Sequence, residues 1–167
     1  MSEESRMQIL IVEDERNHAD VLAELLERSG YRVRVADTFE DGKRMLESSA
    51  LDLVITDLDL GAHRGTELLG VAQALVRPVE VMLISGVGSI EDAVEAMQLG
   101  AAHYFTKPLD VQEIRSVVGK AAERLRARCA GDETDTDRQE FEGIVGKSPG
   151  MVRVYATIRR IAPTTAT

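Results

Sequence analysis

The hydrophobic positions along the chain alternate between two spacings. Short apolar runs rich in β-branched residues are typical of buried strands, and longer stretches with apolar residues at i, i+3 and i+4 are typical of helices. The predicted strands are residues 9–12, 32–36, 53–56, 81–85 and 103–106, each followed by a helical pattern. Three strands are almost wholly apolar, as expected for central parallel strands covered on both faces.

Glycines and capping residues predict where helices begin and end. Gly30 and Gly100 stand where a left-handed residue would stop the first and fourth helices. Ser89 and Asp92 form a capping pair, and the fifth helix is predicted to begin at Asp110. Strands and helices alternating through short connections predict a doubly wound α/β fold with a five-stranded parallel sheet and helices on both faces.

Length and composition leave room for one domain and an appendage. The chain has 167 residues, 44% hydrophobic and 29% charged, as in ordinary globular proteins. It contains no apolar run near the roughly 20 residues of a membrane span, and residues 1–6 lack the apolar core of a secretion signal. We therefore expect a cytoplasmic protein without membrane contact. The net charge of −9 disfavours direct binding of this chain to nucleic acid.

The composition changes near the C-terminus. Residues 7–127 carry the alternating pattern, and residues 128–142 form a predicted acidic linker with little apolar content. Apolar positions within 144–162 then predict one more amphipathic helix, in a last segment of residues 143–167.

Acidic residues follow two of the predicted strands. Glu13 and Asp14 come after the first strand and Asp57 after the third, so the topology places all three at one edge of the sheet. Such carboxylates repel one another, and Mg²⁺, which prefers oxygen ligands, relieves that repulsion. Any one of them alone is equally well explained as a helix cap. The set together predicts a magnesium and phosphate site.

The fourth and fifth strands end in groups that suit a phosphate. Ser85 offers a hydroxyl, and Gly86 lets the backbone approach closely. Lys107 supplies a compact positive charge, and a cis peptide bond to Pro108 would direct that lysine into the site. Each of these signals is weak alone, and their joint placement carries the prediction.

Four segments resemble the motifs of response-regulator receiver domains in order and spacing: ILIVEDE, LVITDLDLGAHRGTELL, VMLISG and HYFTKPL. The resemblance covers about residues 7–127 and implies a flavodoxin-like sheet of strand order 2-1-3-4-5. It implies that Asp57 is the phosphoacceptor and that Asp14 and Asp57 bind Mg²⁺. It further implies that Glu13 holds a coordinated water and that the backbone carbonyl of Asp59 is another metal ligand. A partner sensor histidine kinase would supply the phosphoryl group.

The resemblance also assigns the remaining site residues. Ser85 and Tyr104 resemble the paired switch residues of the family, and Lys107 resembles its phosphate-binding lysine. Backbone amides around Leu58 and Gly86 are expected to stabilise the spread charge of the transferring group. Such a domain is not a conventional enzyme, because it takes up and loses its own phosphoryl group.

The last segment, FEGIVGKSPGMVRVYATIRRIAPTTAT, resembles the opening of the AAA+ domain of sigma-54-dependent activators (the NtrC type). A Walker A loop ending at Gly146, Lys147 and Ser148 would need glycine at position 141, where this chain has Phe141. Neither ATPase activity nor DNA binding is expected of this chain. A full-length protein of this kind would meet sigma-54 RNA polymerase and DNA. The resemblance also favours a homodimer through the fifth helix and the linker.

Two positions depart from the family pattern. Glu13 replaces a commoner aspartate, and Gly61 replaces a frequent proline, which predicts a more mobile loop after Asp57.

Two other functions are alternatives to a phosphate-accepting receiver. The Asp57-x-Asp59 pair also suits a haloacid-dehalogenase-like phosphatase, but in that family the motif ends the first strand rather than the third. The other alternative is a receiver-like module that binds proteins without taking phosphate.

Overall fold

The structure is a computed structural model and describes residues 6–77 and 79–129. The elements in chain order are β1 (Gln8–Val12), α1 (Arg16–Arg28), β2 (Arg32–Ala36), α2 (Phe39–Ser48), β3 (Leu53–Asp57), β4 (Asp59–Leu60), β5 (His63–Arg64), α3 (Gly65–Ala74), β6 (Glu80–Ser85), α4 (Ile90–Gln98), β7 (His103–Thr106) and α5 (Val111–Cys129). The predicted linker from residue 130 onward and the helix predicted within 144–162 lie outside the described residues.

Five strands form one parallel sheet in the order β2-β1-β3-β6-β7. The predicted doubly wound fold and strand order are therefore confirmed, since β6 and β7 are the fourth and fifth strands of this sheet. The central strands β1, β3 and β6 are almost wholly buried, whereas β2 at the edge alternates between exposed and half-buried residues. This difference explains why only the central strands have continuous apolar sequences.

Alternate residues of each strand contribute to two separate cores. Leu10, Val54 and Leu83 face α2, α3 and α4. Ile11 and Ile55 face α1 and α5. Because neighbouring strand residues point to opposite faces, a continuous apolar run supplies both layers. None of the helices in the described ranges is long and apolar enough to span a membrane.

The predicted ends of α1 and α4 are confirmed. Gly30 and Gly100 have φ of +92° and +97°, directly after the C-cap residues of α1 and α4. Ser89 caps α4 by accepting a hydrogen bond from the backbone N–H of Asp92. Asp110 accepts from the backbone N–H groups of the second and third residues of α5, so it is the N-cap and the helix itself begins one residue later than predicted.

The segment after Asp57 contains an element that the hydrophobic pattern does not predict. Asp59 pairs with Arg64 and Leu60 with His63, so β4 and β5 form a two-stranded antiparallel hairpin. Gly61 has φ of +70° in its turn, a conformation that favours glycine. The predicted loop is therefore a paired ribbon beside the carboxyl end of β3.

Candidate functional site

Three predicted site residues meet at the carboxyl ends of the strands. Asp57 ends β3, while Glu13 and Lys107 directly follow β1 and β7. The Lys107 Nζ donates to Asp57 Oδ2 at 2.6 Å and to Glu13 Oε2 at 3.1 Å. The side chains of Asp57 and Glu13 are only 8% and 5% exposed, so one ammonium offsets part of the negative charge of two nearly buried carboxylates.

The surroundings shift the proton affinities of this cluster. Burial, assisted by the negative charge of Asp57, raises the pKa of Glu13, although the hydrogen bond from Lys107 opposes the shift. Burial works against the charged form of Lys107, but the hydrogen bonds to Asp57 and Glu13 outweigh it and raise the lysine pKa. The lysine therefore stays charged at neutral pH beside the acidic pair.

The backbone around Asp57 fixes the orientation of its carboxylate. Asp57 Oδ1 accepts a hydrogen bond of 2.9 Å from the backbone N–H of Asp59, the first residue of β4. The backbone N–H of Leu58 instead donates to the carbonyl of Ile84 at 2.7 Å. The amide predicted at Leu58 is thus engaged within the fold, and the amide directed at the carboxylate is one residue further along.

Gly65 is a structural requirement that the sequence analysis did not single out. It begins α3, and its N–H donates to the Leu58 carbonyl at 2.9 Å. A Cβ atom at this position would overlap the carbonyl oxygen of Asp57 and lie 3.0 Å from Leu83 Cδ2. Only glycine therefore lets α3 begin this close to the end of β3.

His63 and Arg64 hold the hairpin between two helices, and neither was predicted to matter. The His63 ring stacks on Phe39 of α2 at 4.2 Å between centroids, and its nitrogens lie 3.3 Å from carboxylates of Glu40 and Glu67. The Arg64 guanidinium pairs with Asp92 of α4 at 2.6 Å. No simple sequence signal identifies these contacts, since they join elements far apart in the chain.

The Arg64 contact changes the ionisation of Asp92. The hydroxyl of Ser89 and then the guanidinium of Arg64 donate to its carboxylate, and both lower its pKa. The same ion pair raises the pKa of Arg64. The carboxylate is therefore held in its charged form, which links the hairpin to the first turn of α4.

Ser85 and Tyr104 lie on the neighbouring strands. The Ser85 hydroxyl donates to the carbonyl of Val87 at 2.9 Å. The Tyr104 ring is 1% exposed and faces the α2–α3–α4 core, and this burial raises the pKa of its hydroxyl. The Tyr104 ring is thus turned inward, away from solvent.

Gly86 and Pro108 adjoin the Lys107 side chain. A Cβ atom at Gly86 would lie 4.0 Å from Lys107 Cδ, so the glycine lines the path of the lysine. The Lys107–Pro108 peptide bond is cis, as predicted.

The acidic residues present an oxygen-only donor set. The exposed Asp14 follows Glu13 directly, and the Asp59 side chain is exposed beside Asp57. Within the described ranges, no three His, Cys, Asp or Glu side chains converge as a metal centre. The Lys107 ammonium nevertheless reaches both Glu13 and Asp57, so these two carboxylates lie close enough to share one positive charge. Carboxylate and carbonyl oxygens fit Mg²⁺ rather than a softer metal.

An apolar groove of about 550 Å³ begins beside the lysine and runs between α1 and the start of α5. Its lining residues are His18, Val21, Leu22, Leu25, Lys107, Pro108, Leu109, Val111 and Ile114. Val21 and Val111 are 69% and 45% exposed, unusually high for large apolar side chains. This surface lies directly next to the carboxylate site.

The fold and the site define a doubly wound α/β domain with a buried aspartate, a second carboxylate and a lysine at the carboxyl edge of its sheet. Residues 9–119 match the family model described as the response regulator receiver domain. The match covers more than half of the chain, so the chain belongs to this family.

Known proteins and structures are similar over most of the chain. The transcriptional regulatory protein ZraR of Escherichia coli K12 is 32% identical over 159 residues, 95% of this chain and 36% of its own length. The signal receiver domain of a putative LuxO repressor protein from Vibrio parahaemolyticus superposes with a TM-score of 0.71 at 24% identity, over 77% of this chain and 99% of that one. The beryllofluoride-activated NtrC4 receiver domain dimer gives 0.66 at 24% identity, over 70% and 97%. The chain thus spans about a third of its curated relative.

Proposed function

We propose that this chain accepts a phosphoryl group on Asp57 from a phosphohistidine of a sensor histidine kinase and thereby acts as the input domain of a two-component response regulator. The observation that carries the proposal is the 2.6 Å contact between Lys107 Nζ and Asp57 Oδ2 in a nearly buried site. A carboxylate held there, with a cation against it, is suited to a single transfer of an anionic group.

The transfer needs little covalent chemistry from the protein. An Asp57 carboxylate oxygen forms a bond to phosphorus as the bond from phosphorus to the donor imidazole breaks. The departing ring nitrogen keeps the bonding electron pair and takes a proton from solvent, which leaves an acyl phosphate and a neutral histidine. Lys107 neutralises the transferring oxygens, and the Asp59 amide orients the attacking carboxylate.

The donor set supports a bound Mg²⁺ in the proposed site. Asp14, Asp57 and the Asp59 carbonyl would hold the ion, and Glu13 would hold a water on it. The ion supplies further positive charge against the phosphoryl oxygens. Lys107 already pairs with Glu13 and Asp57. A divalent cation held at this site would compensate the carboxylate charge and so free the lysine to move toward the phosphoryl group.

The output is a conformational change that begins at Ser85 and Tyr104. The phosphoryl charge attracts the Ser85 hydroxyl away from Val87, and the surface of α4, β7 and α5 repacks around the buried tyrosine. In a longer protein this surface would control an attached AAA+ domain of a sigma-54-dependent activator. The tail resemblance and the transcriptional-regulator relative support that part.

Intact mass after incubation with Mg²⁺ and acetyl phosphate tests the phosphoacceptor. Wild-type protein is expected to gain one phosphoryl group, whereas Asp57→Asn protein, folded by circular dichroism, gains none. Removal of Mg²⁺ by EDTA should abolish the gain. A folded wild-type protein that gains no mass would instead favour a module that binds partners without phosphate.

The proposed homodimer through α5 and the linker has a separate test. Sedimentation of the full chain, with and without the beryllofluoride complex that mimics the phosphoryl group, should show a shift toward dimer on activation. The NtrC4 receiver relative, whose activated form is a dimer, supports this expectation. A monomer under both conditions at high concentration would contradict it.

A further inference from the structure

His18 contacts the lysine of the site from the solvent side. It lies in the first turn of α1, and its Nδ1 is 3.4 Å from Lys107 Nζ. The same ring nitrogen is 3.2 Å from Glu15 Oε2, and the imidazole is 47% exposed. The ring therefore stands at the rim of the site, where the carboxylate cluster meets the apolar groove.

The three N–H donors of the Lys107 ammonium give its contact with His18 a role. A lysine ammonium has three N–H donors and no acceptor. Asp57 Oδ2 takes one of them at 2.6 Å, and the Glu13 carboxylate takes a second, with Oε2 at 3.1 Å and Oε1 at 3.4 Å. His18 Nδ1, at 3.4 Å, lies where it accepts the third. We infer that His18 is a positioning residue for Lys107: it accepts this hydrogen bond as a neutral ring and holds the ammonium at the phosphoryl position. The inference rests on the proposed function.

Because Glu15 also lies beside Nδ1, the location of the proton on the His18 ring decides whether Nδ1 bonds Lys107 or Glu15. One nitrogen cannot accept from Lys107 and donate to Glu15 at once. If Nδ1 accepts from the lysine, the ring proton is on Nε2 and the approach to Glu15 is not a hydrogen bond. If Nδ1 carries the proton, it donates to Glu15, and Lys107 loses its third acceptor. The location of this proton distinguishes the two arrangements.

The contact matters most when the acceptors of the lysine change. On transfer, phosphoryl oxygens replace the carboxylate oxygen that now holds the ammonium, and bound Mg²⁺ competes for Glu13. His18 is the partner that neither event removes, because it approaches from the rim of the site. It therefore keeps the ammonium directed inward while its other partners are exchanged.

The kinetic test uses two replacements of His18 in the full chain. His18→Leu removes the acceptor, and His18→Gln keeps one of similar reach. The rate of phosphorylation by acetyl phosphate is expected to fall about three- to tenfold in the leucine variant. The glutamine variant should recover most of that loss. Asn17→Leu, one residue earlier on the exposed side of α1, controls for the added apolar surface.

A double-mutant cycle shows whether the effect passes through the lysine. In a Lys107→Ala background, His18→Leu should cause no further loss of rate. Equal rates for wild type and His18→Leu, with both proteins phosphorylated, would overturn the inference. So would a full leucine effect that persists without the lysine, since His18 would then act by another route.

The proton on the ring gives a readout that needs no phosphorylation. Nitrogen-15 spectra of the unphosphorylated protein at about pH 8 should show His18 protonated on Nε2, with the Nδ1 signal moving on Lys107→Ala. A proton on Nδ1, or a signal unchanged by loss of the lysine, would contradict the contact. If wild-type protein took up no phosphoryl group, the proposed function would fail, and this spectrum would still decide whether His18 positions Lys107.

Discussion

The two carboxylate oxygens of Asp57 have different neighbours at the scale of single atoms. Oδ1 accepts from the Asp59 backbone, and Oδ2 accepts from Lys107. One contact is set by the hairpin and the other by a side chain that can move. The backbone therefore fixes the orientation of the carboxylate while its counter-charge remains exchangeable.

Two glycines of α3 provide a matched pair at this scale. Gly65→Ala is expected to lower the free energy of unfolding by about 1–3 kcal/mol or more, because the added methyl group meets the Asp57 carbonyl and Leu83. Gly70→Ala adds the same group to an exposed helical position with open space, and should raise stability by about 0.5–1 kcal/mol. Urea unfolding of both variants measures the difference. Similar effects of the two substitutions would contradict the close approach at Gly65.

The hairpin is the connecting element of the site. Its β4 strand begins at the amide that orients Asp57, and β5 ends in the residues held by α2 and α4. Stacking of His63 on Phe39 secures one side, and the ion pair of Arg64 secures the other. A displacement of the Asp59 backbone therefore reaches the first turn of α4 through two residues of one short ribbon.

The pKa of Asp92 tests the contact between the hairpin and α4. Its pKa is lowered mainly by the Ser89 hydroxyl and next by Arg64, so Ser89→Ala should raise the pKa more than Arg64→Gln does. Because the folded pKa is below the unfolded value, the stabilisation by Asp92 is present above about pH 3.9 and is lost as the pH falls through the lower folded pKa. Carbon-13 titration of the carboxyl group in each variant measures the shifts. A larger change of the Asp92 pKa in Arg64→Gln than in Ser89→Ala would contradict this order of causes.

At the scale of the whole molecule, α5 is tied to the sheet at the opposite end of β6 from the candidate site. Glu80 begins β6 and accepts from Arg124 at 2.9 Å and from Arg128 at 2.8 Å. Ser85 ends the same strand at the site. A six-residue strand thus has the proposed switch hydroxyl at one end and the attachment of the last helical turns at the other.

Loss of this attachment should loosen the end of α5 alone. Glu80→Gln is expected to speed amide hydrogen exchange in the last two turns of the helix about three- to tenfold, because glutamine keeps an acceptor oxygen but loses the negative charge that pairs with the two guanidinium groups. Glu47→Gln, an exposed acid on α2, makes the same charge change as a control. Mass spectrometry of exchanged peptides gives the measurement. Unchanged protection of α5 would show that apolar packing alone holds its end.

Sequence patterns predict the layered fold because burial on both faces leaves continuous apolar runs, as in β1 and β3. They predict the meeting of Glu13, Asp57 and Lys107 because the ends of parallel strands share one edge. They do not predict the hairpin, whose two-residue strands are too short to have a period. They also miss His18, Arg64 and Glu80, since each contact joins elements whose pairing only the packed helices determine.

The attachment of α5 to Glu80 also determines where this domain can be spliced in an engineered sensor. A fusion made after residue 119, where the family match ends, would omit Arg124 and Arg128 and leave Glu80 without these two partners. A junction after Arg128 keeps both ion pairs inside the grafted module. A foreign output domain joined there would continue from a helix whose direction the receiver itself fixes.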